Sequence, residues 1–281
     1  MSDETVIWSR AVEEQTSIRL NDGKSIPQVG QGVFLVPPED AERLVETGIQ
    51  VGYRAIDTAA FYRNEAGVGR AVRASGETVF VTTKLWNGDQ GRDKARAAFE
   101  RSHKELGLDA IDLYLIHWPV PSQDLYLDSW RTLIELRDEG RVRSIGVSNF
   151  TIEHLKRIIG ETGVVPVTNQ VELHPALQQN ELVAFHEENG ISTTSWSPLG
   201  RGALLDDPLL ATIASKHGKT VAQVIIRWHI ERGLIVIPKA SSEGRLRENL
   251  DVFNFRLDDD DMRQIATLDR GTRVGPDPMS M

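Results

Sequence analysis

The sequence has no cysteine among its 281 residues. This absence excludes disulfides, thiolate metal ligands and thiol nucleophiles, and it fits a reducing compartment. Basic residues are also fewer than acidic residues. The chain has 32 lysines and arginines and 41 aspartates and glutamates, which gives a net charge of −9. Such a balance disfavours broad contact with nucleic acid or with an anionic membrane. We therefore expect a small molecule rather than a polyanion as the partner.

Long apolar runs and linkers are missing as well. No run reaches membrane-spanning length, and the start, MSDETVIWSRAVEEQ, has acidic residues where a signal peptide has its apolar core. These features predict a cytoplasmic protein. Since no Gly/Ser-rich or Pro-rich stretch interrupts the pattern, we expect one domain over residues 1–281, with an N-terminal extension at 1–15 and a C-terminal tail at 271–281.

Short apolar runs alternate with amphipathic helical stretches along most of the chain. A hairpin precedes them, with its turn at Asn21, Asp22 and Gly23. The candidate strands that follow are GVFLV (32–36), RAID (54–57), VFVTTK (79–84), IDLYLIH (111–117), RSIGVS (143–148), VTNQVE (167–172), ISTTSW (191–196) and GLIVIP (233–238). These strand and helix units predict an α/β fold, a closed parallel (β/α)8 TIM barrel with an N-terminal β-hairpin.

The main alternative fold is a doubly wound dinucleotide-binding sheet. That fold carries the pattern G-x-G-x-x-G directly after its first strand. Here Gly30 and Gly32 are followed by Leu35, where the third glycine belongs. The barrel is therefore favoured.

Polar or aromatic residues stand at the ends of successive candidate strands. They are Asp57, Lys84, His117, Ser148 with Asn149, Gln170, Trp196 and, after the last strand, Lys239. Taken singly, each has an ordinary structural explanation, such as a cap or a solvated strand end. Because barrel active sites lie at the carboxyl ends of the strands, the set together predicts a site on that face. No metal site is predicted, since His174 lacks a second ligand in sequence.

Three of these residues, Asp57, Lys84 and His117, should lie side by side because sequential barrel strands are neighbours. A carboxylate beside an ammonium keeps both groups charged. Tyr62 follows Asp57 by five residues and can fold back over Lys84. We expect the ammonium to lower the pKa of Tyr62, which would make the phenol a proton donor, while His117 binds the oxygen that receives the proton.

With these residues in place, the chain resembles the aldo-keto reductases, most nearly the bacterial 2,5-diketo-D-gluconate reductase group. The similarity runs from about residue 17 to about residue 270. It rests on motifs in the family's order: LNDGKSIPQVGQGVF, GYRAIDTAAFYRNE, TTKLW, DLYLIHWP, GVSNF, NQVELHP, SWSPLGRG and IPKASSEGRLRENL.

The resemblance implies a monomeric carbonyl reductase that uses NADPH, with NADH as a weaker alternative. Hydride would pass from the nicotinamide to an aldehyde or ketone, with diketo sugar acids and small dicarbonyls among the candidate substrates. The implied catalytic tetrad is Asp57, Tyr62, Lys84 and His117, with Tyr62 as the general acid.

Binding residues are implied in the same way. Ser148, Asn149 and Gln170 would hold the carboxamide, a group with both a donor and an acceptor. Trp196 would stack on the nicotinamide ring. The other implied cofactor residues are Ser197, Leu199, Lys239, Ser242, Arg245, Glu248 and Asn249, and the substrate pocket would be walled by Phe34, Trp86 and Trp118. The tail after Arg270 is a candidate for covering the site.

The phosphate-binding region departs from the common family pattern. Family members often carry Ser or Thr where this chain has Ala240, and Arg where it has Ser242. Because Lys239 and Arg245 remain beside the expected start of a helix, we still predict a preference for NADPH. The preference for NADPH over NADH should be weaker than is usual in the family.

Two other functions stay open at this level. One is a cofactor-binding regulatory or sensor protein like the potassium-channel β-subunits, which would bind the cofactor tightly and turn over little. The other is a Schiff-base aldolase with Lys84 as the nucleophile. In that case borohydride would trap the substrate covalently on Lys84. The aldolase is disfavoured because Asp57 would keep the amine protonated.

Overall fold

The structure, a computed structural model, describes residues 15–281, so the predicted N-terminal extension lies outside the described residues except for Gln15. The described part begins with the predicted hairpin. Its strands β1 (Ser17–Arg19) and β2 (Ser25–Pro27) pair antiparallel around a turn in which Gly23 has φ +85°. Leu20 and Ile26 are buried against the inner strand residues Leu113, Leu115, Val167 and Ile235. The hairpin therefore covers the amino-terminal end of the barrel.

In residues 15–281, eight parallel strands follow in sequence order. They are β3 (Gln31–Gly32), β4 (Ala55–Asp57), β5 (Phe80–Leu85), β6 (Ile111–Ile116), β7 (Val142–Ser148), β8 (Thr168–Glu172), β9 (Ser192–Trp196) and β10 (Ile235–Val236). The first and last strands meet through two isolated parallel bridges, Val29 to Val236 and Gly32 to Lys239. The predicted barrel is confirmed.

The first predicted strand, GVFLV at 32–36, is largely wrong. Only Gly32 of that run is in β3, and the chain then turns, so that Leu35 has φ +59° and is 75% exposed. Val33 and Val36 are nevertheless buried. Val33 and Val36 are three positions apart, whereas Phe34 and Leu35 between them are exposed, so the burial pattern is that of a turn and not the alternation of a strand.

The described helices pack around the strands. They are α1 (Pro38–Val51), α2 (Glu65–Ser75), α3 (Arg92–Leu106), α4 (Tyr126–Asp138), α5 (Ile152–Thr162), α6 (Asn180–Glu188), α7 (Pro208–His217), α8 (Val221–Glu231), α9 (Glu243–Leu250) and α10 (Asp259–Ala266). The main core lies between the strands and these helices and includes the fully buried Phe99, Tyr114 and Trp130. Among residues 15–281, no helix combines the length and apolar character needed to cross a bilayer.

Candidate active site

The carboxyl ends of β4, β5 and β6 bring together the residues predicted as a tetrad. Nζ of Lys84 lies 2.5 Å from Oδ1 of Asp57 and 2.8 Å from the main-chain oxygen of Thr58. Tyr62 ends a short 3-10 turn, Ala60–Tyr62, and its ring centroid is 5.2 Å from Nζ of Lys84. The rings of Tyr62 and His117 meet edge to face, with centroids 5.8 Å apart. The four side chains thus form one cluster.

The electrostatics of this cluster differ from the prediction for Tyr62. Burial, and next the negative charge of Asp57, raise the pKa of Tyr62 well above its ordinary value. The expectation that Lys84 leaves the phenol with a lowered pKa is therefore wrong for this structure. The reason is that desolvation penalises the phenolate, and Asp57 already neutralises the ammonium at 2.5 Å.

Lys84 and His117 are both shifted toward their neutral forms. Burial lowers the pKa of Lys84, and the carboxylate of Asp57 opposes that shift. Burial, and next the positive charge of Lys84, lower the pKa of His117 well below its ordinary range. His117 is consequently a neutral imidazole at pH 7, with one N–H to donate.

A contact across the barrel was missed by sequence reasoning. The side-chain Nε2 of Gln170, on β8, donates to Oδ2 of Asp57 at 2.7 Å. Asp57 is thus held on one oxygen by Lys84 and on the other by Gln170, and all three side chains are buried. No local pattern marks this contact, because 113 residues separate the two partners.

The ends of β7, β8 and β9 are joined by further hydrogen bonds. The hydroxyl of Ser148 donates to the main-chain oxygen of Gln170 at 2.7 Å. Asn149, in the left-handed region at φ +63°, donates through Nδ2 to the main-chain oxygen of His117 at 3.0 Å. Its Oδ1 accepts from Nε1 of Trp196 at 2.8 Å. The indole is therefore held by a residue at the end of β7, two strands away.

A cavity of about 290 Å³ opens over these residues. The predicted substrate residues Phe34, Trp86 and Trp118 all line it, together with Asp57, Tyr62, His117, Ser148, Asn149, Gln170 and Trp196. Seven lining residues were not among the predicted site residues, namely Gly32, Phe61, Pro198, Arg201, Ile237, Pro276 and Met281. Phe61 could have been found from its place beside Tyr62, and its ring stacks on Trp86 with centroids 3.8 Å apart.

Comparison with known proteins agrees with this geometry. The sequence profile described as "Aldo/keto reductase family" matches residues 28–270. The chain belongs to the aldo/keto reductase family. An aldo-keto reductase of Mycolicibacterium smegmatis is 56% identical over 264 residues, covering 93% of this chain and 96% of that one. The methylglyoxal reductase DkgA of Escherichia coli K12 is 50% identical over 268 residues, covering 94% and 97%.

A solved structure is similar over nearly the same length. A variant of the protein Gox0644 in complex with NADPH superposes with a TM-score of 0.93 at 50% identity, covering 95% of this chain and 98% of that one. The predicted family and fold are confirmed by these matches.

In this aldo-keto reductase, two of the remaining predicted cofactor residues line the cavity and the others lie outside its lining. Ser197 and Lys239 line it, whereas Leu199 packs against the core. Ser242 precedes the first turn of α9 as its N-cap, and Arg245 lies exposed in that helix. Glu248 accepts a hydrogen bond from Thr220 at 2.7 Å, and Asn249 is buried. The structure thus places two exposed cations, Lys239 and Arg245, around the start of α9.

Proposed function

We propose that this protein is an NADPH-dependent reductase of small aldehydes and ketones, with 2-oxoaldehydes such as methylglyoxal as the first substrates to test. The observation that carries the proposal is the cluster of Asp57, Tyr62, Lys84 and His117. All of these except Lys84 line one cavity with aromatic walls. The relative named methylglyoxal reductase and the NADPH-bound Gox0644 variant support it.

The residues along the cavity fit a nicotinamide dinucleotide. Trp196 offers an aromatic face at the cavity wall, and Ser148 lines the same cavity. At the far end, α9 begins at Ser242 with Lys239 and Arg245 nearby, and a helix start with cations is a suitable phosphate site. When bound there, the cofactor would supply a hydride to the carbonyl carbon of the substrate.

We assign the proton that completes the reduction to Tyr62. Because its pKa is raised, the phenol is fully protonated at neutral pH and does not lose its proton to water. Its proton moves only as the carbonyl oxygen gains negative charge, and the ammonium of Lys84 near the ring stabilises the charge left on the phenol. Asp57 and Gln170 are positioning residues that hold Lys84 in place.

His117 is proposed to bind the substrate oxygen. As a neutral imidazole it donates one hydrogen bond without adding a second positive charge beside Lys84. The hydrogen bond from Asn149 to the main-chain oxygen of His117 fixes the backbone at this strand end. The carbonyl would then lie between the phenol and the imidazole, with Trp86 and Trp118 excluding water.

The dimensions of the cavity favour a small substrate. Its volume of about 290 Å³ must accept both the nicotinamide and the carbonyl compound. Phe34, Trp86 and Trp118 form mostly apolar walls, and Arg201 and Lys239 add the cationic groups at the rim. A two- or three-carbon dicarbonyl suits this space better than a bulky ketone.

The test is a comparison of Tyr62→Phe with Tyr126→Phe. Tyr126, whose hydroxyl accepts a hydrogen bond from Arg157 at 3.1 Å, lies on α4 and is a matched control for loss of one phenolic oxygen. We expect Tyr62→Phe to lose about 10²–10⁴-fold in kcat with methylglyoxal, the usual range for a general acid. NADPH affinity, measured by fluorescence titration, should be unchanged in both variants. Near-normal turnover by Tyr62→Phe would refute the assignment.

The environment of Lys84 argues against the aldolase. Its side chain is fully buried, and its ammonium is held by Asp57 and by the oxygen of Thr58. A Schiff-base lysine needs a neutral amine in contact with the substrate. Lys84 is not among the residues that line the cavity.

We also propose that the chain is a single-domain, cytoplasmic monomer. The continuous barrel of residues 15–281 supports the single domain. Light scattering on the purified protein tests the oligomeric state. A mass near twice 31.4 kDa would contradict the monomer.

A further inference from the structure

The C-terminal tail, defined here as residues 270–281, crosses the carboxyl face of the barrel. Its first part is held by main-chain hydrogen bonds, since the N–H groups of Arg270 and Thr272 both donate to the oxygen of Ala176. Its next part is held by a single side chain. Oε1 of Glu172 accepts from the N–H of Val274 at 2.5 Å, and Oε2 accepts from the N–H of Gly275 at 3.1 Å.

Glu172 is suited to this contact because it is a buried, ionised group. It ends β8 and its side chain is fully buried. Burial by itself would raise its pKa, but hydrogen bonds from His174, Val274 and Gly275 leave the pKa lowered. Nε2 of His174 lies 3.0 Å from Oε1, and the guanidinium of Arg273, also in the tail, lies 3.9 Å from Oε2. Charge-assisted hydrogen bonds of this kind are the strong ones.

The segment that Glu172 holds is also the segment that contacts the site. A Cβ added to Gly275 would lie 2.3 Å from the ring carbon Cη2 of Trp196, so the tail backbone packs directly against the indole. Pro276 and Met281 then line the proposed active-site cavity. On the other side, Pro278 and Met279 line a second cavity of about 650 Å³. The tail is therefore the partition between the two cavities.

We propose that Glu172 is a positioning residue of the reductase site, which acts by fastening the tail over Trp196 and the substrate cavity. This inference rests on the proposed function only for its kinetic consequence. Glu172 does not line the cavity. Its effect passes through Val274 and Gly275, which fix the backbone against Trp196 and place Pro276 and Met281 as a wall.

The variant Glu172→Gln tests the contact with little change in volume. An amide has one oxygen and one NH2 group. It can therefore accept from only one of the two N–H groups of Val274 and Gly275, and its NH2 group would face the other N–H as a second donor. The matched control is Glu181→Gln, an exposed carboxylate on α6 beside the second cavity. It removes the same charge nearby without touching the tail backbone.

The first measurement needs no enzymatic activity. Trypsin cleaves after arginine, and Arg270 and Arg273 both lie in the tail. Release of the C-terminal peptide, followed by mass spectrometry, reports how often the tail opens. We expect Glu172→Gln to be cut at least about tenfold faster than the parent protein and Glu181→Gln to be cut at the parent rate. Equal cleavage of the two variants would overturn the fastening role.

The second measurement is steady-state kinetics, which shows whether release of the tail changes substrate binding at the active site. With the wall released and Tyr62 untouched, we expect KM for methylglyoxal to rise about fivefold or more while kcat changes less than twofold. Faster cleavage with unchanged KM and unchanged NADPH affinity would overturn the positioning role. If the parent protein itself reduces no carbonyl, the proposed function fails, and cleavage together with NADPH affinity still decides this inference.

A second variant guards against misfolding of the first. Gly275→Ala leaves Glu172 intact and drives a methyl group into the Trp196 ring, so the tail must move away. We expect the same rise in KM and in cleavage. In the double variant with Glu172→Gln, the two effects should not add, because both act through one segment. Additive effects would contradict a shared path through the tail.

Discussion

The ion pair between Lys84 and Asp57 gives the sharpest stability prediction. Their side chains are 0% and 7% exposed, and Nζ lies 2.5 Å from Oδ1. Replacing Lys84 by Met leaves the Asp57 carboxylate buried with Gln170 as its donor. Breaking a buried pair by removing one partner costs about 3–5 kcal/mol, which we expect as the loss in free energy of unfolding. Guanidinium titrations at pH 7, followed by circular dichroism, measure it.

The double variant Lys84→Met/Asp57→Asn decides whether the cost is electrostatic. Once both charges are gone, the loss should be smaller than for Lys84→Met alone, because no unpaired buried charge remains. The control is Arg70→Met, which breaks an exposed pair with Glu42 at 2.6 Å and should cost under about 1 kcal/mol. A loss below about 1 kcal/mol for Lys84→Met, or a double variant as costly as both single changes added, would refute the reasoning.

Two further predictions concern acid stability and cofactor choice. Burial lowers the pKa of His186 and of His229 to about 4. As pH falls, these histidines therefore bind protons in the unfolded chain before they do so in the folded protein. The free energy of unfolding should drop between about pH 6.5 and about pH 4, by up to about 3 kcal/mol per histidine. Unfolding titrations across that range check this, and an unchanged pH slope in His186→Gln would contradict the assignment. For the cofactor, Ser242→Arg adds a cation at the start of α9 and should raise the NADPH-to-NADH ratio of kcat/KM severalfold. An unchanged ratio would contradict binding of the additional NADPH phosphate at the start of α9.

The site residues that sequence could predict lie at strand ends. Asp57, Lys84 and His117 were found because a parallel barrel exposes the carboxyl ends of its strands at one face, and the order of strands sets the neighbours. Tyr62 followed from its distance along the chain to Asp57. These inferences need only local patterns and the topology of the fold.

The features that sequence could not predict depend on contacts between distant segments. The bond from Gln170 to Asp57 and the bonds from Glu172 to the tail join strand ends to partners 113 and about 100 residues away. The pKa of Tyr62 was misjudged for a related reason, since burial comes from the whole assembled site. The false strand at Leu35 shows that an apolar run fixes neither the backbone shape nor the burial of each residue.

The barrel closes between the segments of β3 and β10 through two isolated bridges, Val29 to Val236 and Gly32 to Lys239. Gly32 approaches the oxygen of Ile237 so closely that an added Cβ would lie 2.9 Å from it, and Gly32, Ile237 and Lys239 all face the cavity. Main-chain hydrogen bonds cross the closure here, from Gly30 to Val236 and from Gly32 to Pro238. A side chain at position 32 would push the two edges apart beside the cavity, so closure of the cylinder depends on glycine there.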